Sequence, residues 1–158
     1  MSTPDQPLVL SAEPFAAPTR IDLPDGVTVV QVQRPGVTVA DLPALFDAGF
    51  AELAQLGPVG PGYARYRGDV TRSFDLTIGF PVAADSASDL PAGVERATFP
   101  SGPAQALSHV GPFDGLGGAW DTLLAGRDAP DEVVEIYVSD PSVTAPEQLR
   151  TDLVLLLG

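Results

Sequence analysis

Cysteine is absent from the 158 residues, and its absence removes several kinds of chemistry. Without a thiol the chain can form no disulfide, no thiolate nucleophile and no cysteine-based zinc site. His109 is the single histidine, and no His, Asp and Glu spacing typical of a metal site accompanies it. We therefore expect no metal and no cofactor, and we expect His109 to make a structural hydrogen bond beside its Gly-Pro turn.

Basic residues are also scarce: eight Lys and Arg stand against 21 Asp and Glu, for a formal net charge of −13. Nucleic-acid binding depends on neutralising phosphates with a basic surface, and no Lys/Arg cluster provides one. We therefore expect no nucleic-acid partner. The same field would attract cationic small molecules and raise their encounter rate, although acidity that only keeps the protein soluble explains the count equally well.

Long apolar runs are missing as well. No stretch approaches the ~18 apolar residues of a membrane span, and residues 1–18 lack the basic and apolar regions of a secretory signal. We therefore expect a cytoplasmic protein with no membrane partner. Neither a P-loop nor a Gly-x-Ser-x-Gly elbow occurs, so the common nucleotide and hydrolase signatures are absent too.

Hydrophobic residues make up 44% of the chain, enough for a core, and 16 glycines and 17 prolines predict short elements separated by many turns. Residues 1–20 read as an N-terminal arm with one edge strand near residues 8–10, and residues 21–158 read as one domain. Alternation and helical spacing predict strands over 27–33, 63–66, 74–82, 94–99, 104–110, 133–139 and 152–157, and helices over 41–56 and 113–124.

The two halves of the domain, residues 27–90 and 94–157, repeat the order strand, helix, strand, which indicates an internal duplication. Residues 74–81 (FDLTIGFP) can be overlaid on residues 134–141 (VEIYVSDP), with apolar residues on one parity and an acid in second place. The overlay predicts that Asp75 and Glu135 are equivalent and that the interface between the halves forms a cleft.

Short motifs follow one another in an order that resembles the GyrI-like (AraC-type effector-binding) domain family. The first half contains Arg34-Pro35-Gly36, the helix from Asp41 and the strand ending in Pro81-Val82. The second half contains His109-Val110-Gly111-Pro112-Phe113, a helix, and Glu135-Ile136-Tyr137-Val138-Ser139-Asp140-Pro141. The resemblance covers residues 27–157.

The resemblance implies an α+β fold of duplicated β-α-β-β repeats. These would form one mainly antiparallel sheet, with two helices on one face and a groove on the other. It also implies that an acid matching Glu135 engages cationic, aromatic or lipophilic guests in the groove. Two departures put the pocket wall in doubt: the loop over 125–131 is short, and an aromatic common at the end of the second helix is absent. No helix-turn-helix segment precedes the domain, so we expect a stand-alone protein without a DNA-binding domain.

Strand alternation places Glu135 and Tyr137 on one side of their strand and Val134 and Ile136 on the other. If the apolar pair packs on the helices, Glu135 and Tyr137 line the groove. A carboxylate there would be partly desolvated, and a cationic guest would relieve the cost. The alternative is a solvated acid on an exposed sheet face.

Four further residues are candidates for the same ligand site, and each of them also has an ordinary structural or solvated role as the alternative. Asp75 would supply a second acid or be merely solvated. Trp120 has the helical spacing of a core residue but could also wall a pocket, and the aromatic residues Phe113 and Tyr66 could do the same.

Three functions remain open. The first is binding of a small organic ligand, in which the protein sequesters or senses a drug or effector. The second is hydrolysis of reactive small molecules, in which Glu135 and Tyr137 would be the catalytic base and acid. The third is a protein-interaction module, which leaves a protein partner or a homodimer open.

Overall fold

The computed structural model describes residues 8–11, 13–68, 72–83, 90–125, 132–139 and 143–157. In this part of the chain eight strands form one sheet, on which two α-helices pack. The strands are β1 (Thr19–Leu23), β2 (Thr28–Val37), β3 (Gly62–Gly68), β4 (Phe74–Pro81), β5 (Glu95–Thr98), β6 (Gly102–Val110), β7 (Glu132–Tyr137) and β8 (Arg150–Leu156), and the helices are α1 (Leu42–Leu53) and α2 (Leu116–Leu124). No helix among the described residues is long and apolar enough to cross a membrane.

Most elements form where the hydrophobic pattern predicts them. α1 has Pro43 in its first turn, where a missing N–H breaks no helical hydrogen bond, and the 3₁₀ turn after it ends at Gly57, whose φ of 75° suits glycine. The edge strand expected at residues 8–10 is wrong. Leu8 is instead a fully buried core residue, and the edge strand is β1, paired with β6. The strand end expected at residues 140–141 lies outside the described residues.

The sheet is antiparallel throughout, in the order β1-β6-β8-β7-β3-β4-β2-β5. From the centre outward, β3, β4, β2 and β5 on one side correspond to β7, β8, β6 and β1 on the other. β2-α1-β3-β4 and β6-α2-β7-β8 are therefore two copies of one β-α-β-β unit, which confirms the predicted fold class.

The strand correspondence corrects one prediction. β4 corresponds to β8, and β3 to β7, so the overlay of residues 74–81 on residues 134–141 is wrong. Asp75 is therefore not the counterpart of Glu135, whose cross-strand neighbour in the central β3–β7 pair is Ala64. The two overlaid segments share the same alternation over a similar length, and periodicity alone cannot distinguish one such strand from another.

One row of cross-strand neighbours runs across the helix-bearing face: Val32, Ile78, Ala64, Glu135, Leu153 and Leu107. α1 packs over one end, where a Cβ on Gly49 would lie 3.2 Å from Ile78 Cδ1. α2 packs over the other end, where Leu123 joins Leu107 and Leu153 in an apolar cluster. Ala64 and Glu135 therefore lie at the middle of the row, between the two helices.

Both helices lie on one face of the sheet, as predicted, but Glu135 does not face a groove on the opposite side. Val134 and Ile136 point to the reverse face, where they belong to a buried cluster with Leu8, Tyr63 and Phe99. Val134 and Ile136, which were expected to pack under the helices, therefore pack on the reverse face. Glu135 is left on the helix-bearing face.

Candidate ligand-binding site

The centre of the site is the carboxylate of Glu135. Its strand, β7, has β3 on one side and β8 on the other, so no sheet edge exposes it to solvent. The side chain is 8% exposed and lies in the gap between the positions of α1 and α2. An ionised group removed from water in this way needs hydrogen-bond or charge partners.

Three neutral donors supply those partners. The hydroxyls of Tyr66 on β3 and Tyr137 on β7 donate to Oε1 at 2.9 and 2.7 Å, and the indole Nε1 of Trp120 on α2 donates to Oε2 at 2.7 Å. The two hydroxyl oxygens are 3.4 Å apart. Both carboxylate oxygens are thus held, by groups from the two central strands and from one helix.

No ion pair neutralises Glu135 among the described residues. The buried arginine Arg150 pairs with Asp152, its Nε 2.9 Å from Oδ1, and Arg65 pairs with Glu132. Strand alternation puts both pairs on the reverse face. The carboxylate is therefore a buried negative charge with hydrogen bonds but no counter-ion, an arrangement that favours an added cation.

The two tyrosines at the carboxylate are fixed as donors. Burial raises the pKa of both Tyr66 and Tyr137 well above the ordinary value of 10.0, and the charge of Glu135 raises it further. Both phenols therefore stay protonated through the neutral range. Each can donate to Glu135, and neither readily gives up its proton.

Aromatic rings enclose the side of the site that Tyr137 forms. Phe46 and Phe50 of α1 have ring centroids 6.1 and 5.9 Å from that of Tyr137, and Phe113 lies at 6.2 Å. Gly62, opposite Tyr137 on β3, leaves room for Phe50: a Cβ there would lie 2.8 Å from its ring. The result is a wall of ring faces and edges beside a buried carboxylate.

Four of the five residues proposed to accompany Glu135 lie around it: Tyr137, Tyr66 and Trp120 bond to it, and Phe113 packs on Tyr137. Asp75 does not join them. It is exposed on β4 with its side chain on the reverse face, where Oδ1 accepts from the backbone N–H of Gly36 at 3.3 Å. Its assignment to the site depended on the overlay with Glu135, which the sheet order contradicts.

Phe46 and Phe50 were not predicted as site residues. Their spacing of four residues on α1 is the signal available in the sequence, but it indicates core packing equally well. The predicted structural role of His109 agrees with the 2.8 Å contact between its Nε2 and the carbonyl oxygen of Pro112. The described residues contain no cluster of His, Asp and Glu that could hold a metal ion.

Solved structures of low sequence identity share this fold. A hydrolase encoded by lin2189 from Listeria innocua matches with a TM-score of 0.60 and 19% identity, covering 91% of this chain and 93% of that one. The EcmrR C-terminal domain matches at 0.66 and 14%, covering 87% and 94%. SAV2435 bound to tetraphenylphosphonium matches at 0.59 and 11%, covering 87% and 92%. No protein-family model and no curated protein matches the chain.

The hydrogen bonds to Glu135 predict a charge-dependent contribution to stability. Tyr66→Phe should cost about 1.5–3 kcal/mol, because the lost bond has a charged acceptor. In a Glu135→Gln background the same change should cost about 0.5–1.5 kcal/mol, because the acceptor is then a neutral amide. Urea unfolding of the four proteins in this cycle measures the difference.

Tyr63→Phe is the matched control for that cycle. Its hydroxyl donates to Gln31 Oε1 at 3.0 Å on the reverse face, away from Glu135. Its cost should therefore be the same in both backgrounds. If Tyr66→Phe also costs the same in both backgrounds, the carboxylate is not the charged acceptor described above.

The tyrosines also predict an alkaline limit of stability. Burial raises the pKa of Tyr63 as well as those of Tyr66 and Tyr137, so all three phenols hold their protons more tightly in the folded state. Their contribution to stability is complete below the unfolded pKa near 10.0 and is lost as pH rises above it. Phenolate absorbance should appear near this pH in urea-unfolded protein but not in folded protein. Folded tyrosines that titrate normally would contradict the burial.

Proposed function

We propose that this protein binds small organic cations with aromatic or lipophilic groups, and that it is a GyrI-like ligand-binding domain. The observation that carries the proposal is the Glu135 carboxylate, which is buried, held by three neutral donors and without a counter-ion among the described residues. A cationic ligand would supply the missing charge.

The aromatic wall suits the rest of such a ligand. A cation within about 6 Å of an aromatic ring centroid is attracted by the negative ring face, and the attraction grows when both groups are out of water. Phe46, Phe50 and Phe113 surround Tyr137 at comparable distances, so a ligand near the carboxylate would meet several rings. The net charge of −13 would raise the encounter rate of cations and oppose binding to nucleic acid.

Ligand entry requires a covering side chain to move, since Glu135 is only 8% exposed. Trp120 belongs to α2, a helix of nine residues that includes Gly117 and Gly118. Glycine within a helix lowers its stability by roughly 1 kcal/mol relative to alanine. Displacing Trp120 from Glu135 therefore costs less than separating two paired central strands would.

One of the structures with the same fold supports the proposed class of ligand. SAV2435 was solved with tetraphenylphosphonium, a lipophilic aromatic cation. The sequence motifs that resemble the GyrI-like family point to the same class of ligand, with the acid at Glu135.

Hydrolysis is the second candidate, favoured by the Listeria innocua hydrolase of the same fold. Glu135 would act as general base on a water molecule, and Tyr137, whose hydroxyl is 2.7 Å from Oε1, as general acid. The raised pKa of Tyr137 weighs against this role, because burial makes the phenol a weaker acid. The three donors on Glu135 also occupy lone pairs that a base would use.

Tetraphenylphosphonium is the probe that tests the binding proposal. Glu135→Gln should weaken its affinity about ten- to a hundredfold, since two opposite unit charges about 5 Å apart attract by roughly 3 kcal/mol at an effective dielectric of about 20, less the cost of desolvating them. A neutral triphenyl compound, triphenylphosphine oxide, should lose much less. Isothermal titration calorimetry with both probes measures the two effects, and thermal unfolding checks that the variant is folded.

Asp75→Asn is the matched control, because it removes the same unit of charge from an exposed position on the reverse face. It should leave the affinity for tetraphenylphosphonium within about twofold, since exposed charges are largely screened. If both variants lose affinity equally, the effect is due to the net charge of the protein and not to a contact with Glu135. If Glu135→Gln leaves the affinity unchanged, Glu135 is not part of the binding site. Turnover of ester or epoxide probes that disappears in Glu135→Gln would favour the hydrolase.

A further inference from the structure

Thr151 on β8 has a hydroxyl without a hydrogen-bond partner in the part of the chain that the structure describes. The residue is 0% exposed, and within the described residues its Oγ1 is the buried side-chain polar atom without a hydrogen-bond partner. A buried polar group left in this state costs about 1–3 kcal/mol. A valine of nearly the same shape would avoid that cost, so the hydroxyl calls for an explanation.

Its position places it beside the carboxylate site. Thr151 lies directly opposite Tyr137 on β7 and directly opposite His109 on β6. Residues opposite each other on antiparallel strands share a face, with Cβ atoms about 4.5–5.5 Å apart. Thr151 therefore points to the helix-bearing face, next to the ring of Tyr137.

The polar groups on either side of Thr151 are committed elsewhere. The Tyr137 hydroxyl donates to Glu135 Oε1 at 2.7 Å, and the Nε2 of His109 contacts the carbonyl oxygen of Pro112 at 2.8 Å. The threonine hydroxyl can both donate and accept. Among the described residues, the Thr151 hydroxyl is therefore available to form a hydrogen bond with a ligand on this face.

We propose that Thr151 is a specificity-determining residue of the ligand site, where its hydroxyl bonds to a polar group of the ligand. The ligand class is then narrower than lipophilic cations: an organic cation that also carries a hydroxyl, carbonyl or amide group. This inference rests on the proposed function, since it takes Glu135 as the position of the positive charge.

The strand geometry sets the spacing of the two groups. Thr151 is one strand across and two residues along from Glu135. Strands lie about 4.8 Å apart and rise about 3.4 Å per residue, so the two Cα atoms are separated by about 8 Å. The ligand's polar group would thus stand several bonds from its charged centre, at the far side of the Tyr137 ring.

A matched pair of probes tests this spacing: pentyl-triphenylphosphonium and hydroxypentyl-triphenylphosphonium, with the hydroxyl at the end of the chain. They differ only by that hydroxyl. Wild-type protein should prefer the hydroxylated probe by about two- to tenfold, as one neutral hydrogen bond allows. Thr151→Val should abolish the preference, and Thr151→Ser, which keeps the hydroxyl, should retain it.

Glu135→Gln separates this proposal from the one on which it rests. It should weaken both probes by a similar factor and leave their ratio unchanged. If Glu135→Gln weakens both probes but Thr151→Val leaves the ratio unchanged, the role of Thr151 is wrong and the cation site stands. If Glu135→Gln weakens neither probe, or wild-type protein binds neither, both proposals are wrong.

Stability gives an independent readout. Thr151→Val should raise the melting temperature or leave it unchanged, because it removes an unsatisfied hydroxyl without opening a cavity. A clear fall in melting temperature, or failure of the variant to fold, would show that the hydroxyl has a partner within the folded protein. That result would overturn the proposal.

Discussion

The hydrogen bonding of one buried carboxylate organises the candidate site. Glu135 is bonded to Tyr66 on β3, Tyr137 on its own strand and Trp120 on α2. These contacts tie the centre of the sheet to a helix of the second repeat. If the carboxylate were paired with an arginine, as Asp152 is with Arg150, its charge would already be neutralised within the protein. Since no described residue supplies a counter-ion, the face has a buried polar group between two apolar clusters.

The duplication explains how this arrangement arises. α1 packs mainly on β2 and β4, and α2 on β6 and β8, so the two central strands, β3 and β7, lie between the main contacts of the two helices. Ala64 and Glu135 face each other there, and Tyr66 and Tyr137 each follow two residues later along their strands. The two tyrosines therefore have matching positions relative to this pair, in which one strand contributes an acid and the other a small residue. The duplicated fold thus contains a buried acid in only one of its two central strands, at Glu135.

The order of the repeats, most of the strands, and the placement of Glu135 and Tyr137 on the same face of β7 could be predicted from the sequence, because they depend on local alternation. The sequence does not show which strand of one repeat corresponds to which strand of the other. Asp75 was misassigned for that reason, since its strand shares the alternation of β7. Nor does alternation specify which face meets the helices, because both faces of β7 are buried. The contributions of Phe46 and Phe50 depend on how α1 is placed relative to Tyr137 on β7, which is a tertiary property.

A crystal structure of the complex with tetraphenylphosphonium would show whether a cation binds at Glu135. The binding proposal predicts that the cation lies beside Glu135, with one of the phenyl groups that shield its phosphorus facing the carboxylate, the others on the rings around Tyr137, and Trp120 moved from Oε2. It would be contradicted by a cation bound elsewhere, such as the surface recess beside Arg34 and Asp41 at the start of α1. It would also be contradicted if all three hydrogen bonds to Glu135 stayed intact in the loaded protein.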